Sequence, residues 1–203
     1  PEDIYLNRGP VARVYMTGVG YCTGFMISRD LLMTNNHCVN TQSTCDRTVI
    51  QFNYEADADG NSLEIDEYNC TEVVDTDYTL DYSVLRVSSS PGLVYGSYEL
   101  SRRDPLPSEQ GVIIQHPGGN RKAAAFDPNC ALGSIANGNG TNSDFRHPCD
   151  PLSGSSGAPV MAADGKVLGL HHFGGAGWLP RSANQAVRVG LILDDCASCR
   201  SVD

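Results

Sequence analysis

The chain is made of short apolar runs, each cut off before it could become a long helix. Val11–Thr17, Thr23–Ile27, Thr48–Tyr54, Tyr82–Val87, Val112–Gln115, Pro159–Ala162 and Lys166–Leu170 are rich in β-branched, aromatic or other apolar residues. Clusters of Gly, Pro, Asn and Asp separate them, as in Asp57–Asn61, Pro117–Asn120 and Asn137–Asn142. Such clusters favour turns, and the runs between them have the length of strands. Asp164-Gly165, between Val160-Met161 and Val167-Leu168, predicts a tight hairpin. Only Gln185–Cys196 predicts a helix, with Ala186, Val189, Leu191, Ile192 and Leu193 partly at helical spacing. Many short strands with one late helix predict an all-β, barrel-type fold. No repeat, low-complexity tract or linker divides the 203 residues, so one domain over 1–203 is expected.

Charge and cysteine content narrow the setting. The formal net charge of −10 argues against nucleic acid as a partner, because neutralising phosphates needs a basic face. It also disfavours anionic membrane surfaces, and no apolar run approaches the roughly 18 residues of a membrane span. The first residue is Pro1, which predicts a processed or trimmed form with any pro-segment lying outside it. Eight cysteines (Cys22, Cys38, Cys45, Cys70, Cys130, Cys149, Cys196 and Cys199) suggest an oxidising compartment and a secreted protein, extracellular or periplasmic. Pairing each with its nearest neighbour in sequence is one possible connectivity. The competing reading is zinc, but only Cys196-Ala197-Ser198-Cys199 has C-x-x-C spacing and no second pair follows it.

Three short segments carry the chemistry: Thr34-Asn35-Asn36-His37-Cys38, Leu80-Asp81-Tyr82-Ser83-Val84-Leu85 and Gly154-Ser155-Ser156-Gly157-Ala158-Pro159. A serine hydroxyl is a poor nucleophile until a general base takes its proton, and the base needs a third group to hold its tautomer. Ser156 as nucleophile, His37 as base and Asp81 as the orienting carboxylate form such a set. Asp75 and Asp77 are rivals to Asp81, but Asp81 alone opens an apolar strand, where its carboxylate would be desolvated. The glycines flanking Ser156 permit a sharp turn that presents the N–H groups of Gly154 and Ser156 to a developing oxyanion. The bland readings are a turn serine and a structural histidine, one of five in the chain.

At these segments the chain resembles the chymotrypsin-like serine peptidases, whose triad runs His, Asp, Ser along the chain. Cys22-Thr23-Gly24-Phe25 followed by Thr34-Asn35-Asn36-His37-Cys38 is similar to the family's pattern around its histidine. Gln115-His116-Pro117-Gly118-Gly119, Gly154–Val160 and Gly169-Leu170-His171-His172-Phe173-Gly174-Gly175 are similar to the bacterial glutamyl endopeptidase branch. The resemblance implies two six-stranded antiparallel β-barrels with a C-terminal helix. One barrel would span about 1–100 with His37 and Asp81, the other about 101–203 with Ser156 and the specificity pocket. It implies a Cys22–Cys38 disulfide, a monomer acting on protein or peptide substrates, and no cofactor.

Specificity is divided between two readings. In the branch resembled, a histidine at the position of His171 contacts an acidic substrate side chain. A protonated or hydrogen-bond-donating imidazole there predicts cleavage after acidic residues. The family's helper hydroxyl is replaced here by Pro151, and Asp150 stands where trypsin-like enzymes hold the carboxylate that binds Lys or Arg. Cleavage after basic residues is therefore the alternative. A catalytically silent homologue acting as a binding module and an esterase are the other two, although the triad order is wrong for the common esterase fold. Glu55, Asp57, Asp59 and Asp66 around Gly60 superficially resemble a calcium loop, against the plainer reading of a solvated acidic turn.

Overall fold

A computed structural model describes residues 6–126, 130–149, 152–174 and 184–201. Six strands close into an antiparallel barrel: β1 (Val11–Met16), β2 (Gly20–Met26), β3 (Leu31–Thr34), β4 (Thr48–Phe52), β5 (Asp66–Asp77) and β6 (Tyr82–Val87). Their order around it is β1-β2-β3-β6-β5-β4, and β1 pairs with β4 to complete the ring. Seven more strands form a second antiparallel sheet: β7 (Gly111–Gln115), β8 (Ala123–Ala125), β9 (Ile135–Ala136), β10 (Asp144–Arg146), β11 (Pro159–Ala162), β12 (Val167–Phe173) and β13 (Gln185–Arg188). Its order is β8-β7-β11-β12-β13-β10-β9. The all-β expectation holds. The first unit is the six-stranded barrel foreseen, whereas the second, among the described residues, is a seven-stranded sheet.

Core formation follows the alternation of the strands. In β1 the side chains of Val11, Ala12, Val14 and Met16 are buried while Arg13 and Tyr15 are half-buried. One apolar cluster fills the barrel around Val14, Met26, Leu32, Ile50, Phe52 and Leu85. A second lies behind the other sheet, around Ile113, Phe145, Val160 and Leu168. A third joins the two units, with Phe25, Met33 and Val84 of the barrel meeting Ile114, Met161 and Leu170 of the sheet. Complete burial of each such side chain contributes about 1.5–3 kcal/mol, so the faces that meet here fix the two units against each other. The catalytic candidates lie along this junction.

Several elements depart from the sequence reading. β5 was hidden because Asp66–Asp77 is acidic and mostly turned to solvent, and two register shifts break its alternation against β6. The predicted helix Gln185–Cys196 splits: Gln185–Arg188 is strand β13, and only α3 (Val189–Asp195) is helical. Ala186 and Val187 pair with β12 and β10, and the helix then buries Val189, Ile192 and Leu193. Among the described residues two further α-helices, α1 (Gln42–Cys45) and α2 (Gly92–Tyr95), are single turns. The Asp164-Gly165 hairpin forms as expected between β11 and β12, with Gly165 at φ +81°.

All eight cysteines pair with their sequence neighbours, as Cys22–Cys38, Cys45–Cys70, Cys130–Cys149 and Cys196–Cys199. The C-x-x-C segment is thus a disulfide and not half of a zinc site.

Candidate active site

His37 sits in the turn that follows β3. Its Nδ1 lies 2.8 Å from Asp81 Oδ2, and its backbone N–H donates to Asp81 Oδ1 at 3.0 Å. One carboxylate therefore fixes both the ring and the main chain of His37. The turn is pinned by its two asparagines. Asn35 Nδ2 donates to the Asp81 carbonyl at 2.8 Å, and Asn36 Nδ2 donates to Thr76 Oγ1 at 2.8 Å. Asp81 itself ends the β5–β6 turn in a left-handed conformation at φ +44°, a region in which Asp and Asn are tolerated better than most residues. The rival carboxylates are engaged elsewhere: Asp75 accepts from the Tyr82 hydroxyl, and Asp77 caps the Leu80 N–H at 2.6 Å.

Asp81 is buried, with 4% of its surface exposed. Burial works against its charge, but hydrogen bonds from His172 and His37 outweigh that and hold its pKa down to about 2. Asp81 is thus ionised near neutrality.

The segment 152–158 brings Ser156 to the same junction. The Thr23 N–H donates to the Ser156 carbonyl at 2.8 Å, and Thr23 Oγ1 donates to the Gly154 carbonyl at 2.9 Å. On the other side the Gly157 N–H donates to the His171 carbonyl at 2.8 Å. Thr23 follows Cys22, whose disulfide partner Cys38 follows His37. A ring nitrogen of His37 and both sulfurs lie within 4.8 Å of one another. Gly154 and Gly157 have φ of +92° and +87°. A Cβ on Gly154 would meet the Gly119 nitrogen at 2.6 Å, and one on Gly157 would collide with the Thr23 carbonyl. Only glycine permits this approach. Among the described residues the Gly154 and Ser156 N–H groups make no hydrogen bond to protein, as oxyanion donors require. Nor does Ser156 Oγ bond to His37 here; such contacts are commonly long before substrate binds.

Behind the pair lie two buried histidine systems. Sequence alternation would send His171 and His172 to opposite faces of β12. Both are nevertheless buried, because β12 is covered on both faces, Val167 to His172 being buried throughout. His171 Nδ1 lies 3.0 Å from His147 Nε2. Burial pushes His147 down to about 3 and His171 well below its ordinary 6.5, so neither ring is charged near neutrality. This corrects the option of a protonated His171: the imidazole there is a neutral hydrogen-bonding group. His172 turns instead to Asp81 and Asp144. The sequence reading missed Asp144, His147 and the second imidazole on Asp81. The doublet His171-His172 was the available signal; Asp144 belongs to no motif.

The remaining predicted residues separate. Asp150 and Pro151 lie outside the described residues, as does Gly175. The proposed calcium carboxylates do not converge. Glu55 is buried against Arg8 at 2.6 Å, Asp57 closes its own turn through Asn61, and Asp66 accepts from Asn53 and Tyr95.

Residues 22–170, more than half the chain and including His37, Asp81 and Ser156, match the trypsin-like peptidase domain family. The protein belongs to that family. It is 31% identical over 178 residues to a Plasmopara viticola protein named secreted RxLR effector protein 73, covering 78% of this chain and 42% of that one. The chain spans less than half the length of the curated relatives it matches. Among solved structures it resembles a Glu endopeptidase in complex with MPD, at 17% identity and a TM-score of 0.70, over 92% of this chain and 87% of that one. It also resembles a scabies mite inactivated protease paralogue, at 12% identity and a TM-score of 0.73, over 93% and 90%. At these identities the likeness is one of fold, so activity must be argued from the site.

Proposed function

We propose that this protein is a serine endopeptidase of an oxidising, extracytoplasmic compartment that cuts after acidic residues. The observation that carries the peptidase reading is the Asp81–His37 pair, set beside a serine loop that Thr23 ties down. In this reading Ser156 Oγ attacks the scissile carbonyl while His37 Nε2 takes its proton. Asp81 holds the Nδ1–H tautomer and stabilises the imidazolium. The Gly154 and Ser156 N–H groups stabilise the oxyanion, and water then hydrolyses the acyl-enzyme after His37 returns its proton to the leaving amine. Four disulfides support export, as does the name of the Plasmopara relative.

Acidic preference is supported by His171. In the tautomer in which His147 Nε2–H donates to His171 Nδ1, the Nε2–H of a neutral His171 is the group that would donate to a carboxylate. The expected result is that Ser156→Ala lowers peptide turnover by about 10⁶-fold, and that a fluorophosphonate labels Ser156 in the native protein. Near-normal turnover in Ser156→Ala would overturn the mechanism. A folded protein that neither labels nor cleaves would support the silent-homologue reading.

A further inference from the structure

The triad carboxylate is shared by two imidazoles. Asp81 Oδ2 lies 2.8 Å from His37 Nδ1 and also 3.1 Å from His172 Nδ1. The other nitrogen of His172, Nε2, lies 2.6 Å from Asp144 Oδ2. Side-chain exposure is 0% for His172, 0% for Asp144 and 5% for Asp81. Both nitrogens of one sealed ring therefore face carboxylate oxygens. A neutral imidazole has only one N–H and would aim its lone pair at one of those oxygens. Placing the proton on Asp144 would relieve that, but Asp144 is already surrounded by donors. Ser143 Oγ lies 2.7 Å from its Oδ1, and Gln185, with its amide nitrogen facing the acceptors, donates to Oδ2 at 2.8 Å. Both partners can donate to an Asp144 carboxylate.

We propose that His172 is a charged imidazolium held between Asp81 and Asp144, a positioning residue that anchors the triad carboxylate and fixes the net charge behind His37. Although burial opposes its charge, the hydrogen bonds to Asp144 and Asp81 raise its affinity for the proton. The groups facing His172 are few. Asp81 comes from the β5–β6 turn with His37 beyond it, Asp144 comes from β10, and the neutral pair His171 and His147 lies alongside. The ring of Phe173 packs on it with 3.9 Å between centroids. The charges on Asp81, His172 and Asp144 sum to −1, the same as a lone triad carboxylate. Asp144 is what balances the second cation. Removing His172 alone would leave two buried carboxylates behind the base, a sum of −2.

The inference rests on the reading of His37 as general base, and its tests separate the two. In the unliganded native protein, ¹⁵N NMR should show both His172 nitrogens in the protonated range from pH 6 to pH 8, without any reference to activity. A bare-nitrogen signal on either atom at pH 7 would overturn the proposal, even if the enzyme is active. Protonated signals in a protein that cleaves nothing would leave it standing and count against the peptidase reading. The second test is the acid limb of kcat/KM, where His37 takes up its proton. In His172→Gln the limb should move to higher pH by about one unit, because added negative charge favours the imidazolium of His37. In His172→Gln/Asp144→Asn the sum returns to −1 and the limb should return to its original position. A merely structural role would lower kcat without moving the limb or restoring it. Should either variant fail to fold, the NMR result on the parent protein decides.

Discussion

The Thr23 N–H donates to the Ser156 carbonyl at 2.8 Å, joining the second strand of the barrel to the loop that carries Ser156. The same residue holds the Gly154 carbonyl through Oγ1, accepts from the His116 N–H at 3.0 Å, and gives its own carbonyl to Thr34 Oγ1 at 2.8 Å. A single buried threonine thus connects the Gly154–Ser156 loop to the strand that leads to His37.

Thr23→Val keeps the strand and the volume but removes the hydroxyl, leaving the Gly154 carbonyl and His116 N–H without partners. Stability should fall by about 1–3 kcal/mol. The oxyanion loop would be free to shift, and misplacement of about 1 Å can cost about 10²-fold in rate. The fall should therefore appear mainly in kcat. Steady-state kinetics beside thermal unfolding checks this, and an unchanged kcat would refute the coupling.

Much of this arrangement is legible in the sequence, because glycine and cysteine requirements are local. Gly154, Gly157 and the Cys22–Cys38 pair each answer to a backbone that must turn or approach closely. The doublet His171-His172 was legible as unusual but not as a pair of buried networks, because only the fold shows that β12 is covered on both faces. Asp144 could not be found in that way. It is one acidic residue in a short run, and only the third dimension sets it against His172. Strand β5 was missed for a related reason: a barrel strand whose outer face is wet and acidic does not look like a strand until its partners are known.

Cys22–Cys38 closes the stretch that contains β2, β3 and the His37 turn. In the chain-entropy picture a loop of sequence separation 16 is worth about 3 kcal/mol. Replacing both cysteines by Ala should lower stability by about that amount and reduce activity further, since Thr23 and His37 are each adjacent to a bridged cysteine. The native protein, denatured without reductant, should show no free thiols. Four or more reactive thiols in that assay would contradict the disulfide framework.

Burial of neutral histidines makes the fold sensitive to acid. Burial lowers His116 and His147 to about 3 in the folded protein, against about 6.5 when unfolded. Between those values the unfolded chain binds protons that the native one refuses, so stability falls as pH drops from about 6.5 towards 3. His172, raised in the folded state, works in the opposite sense near neutrality, and Asp81 adds to the acid loss only below about 4. Thermal midpoints should decline from pH 7 to pH 4. His116→Phe preserves the ring that stacks on Tyr54 and should flatten that decline. A slope unchanged in His116→Phe would show that this histidine does not carry the effect.

The last expectation concerns which bond is cut and how pH governs it. Because burial holds His171 neutral well below its ordinary pKa, its charge does not change across the range in which His37 is the active base. Activity on a substrate with Glu before the scissile bond should therefore rise as His37 loses its proton. It should not fall again on the alkaline side through loss of a proton from His171. A charged His171 would instead give a bell. His171→Gln, which keeps a donor, should retain part of the Glu preference, whereas His171→Leu should lose about 10²-fold or more on Glu and little on Phe. Matched peptides that differ only in Glu, Lys, Arg or Phe before the scissile bond, assayed from pH 5 to pH 10, measure both effects. Efficient cleavage after Lys or Arg with none after Glu would transfer the specificity role to Asp150 and reject the acidic reading.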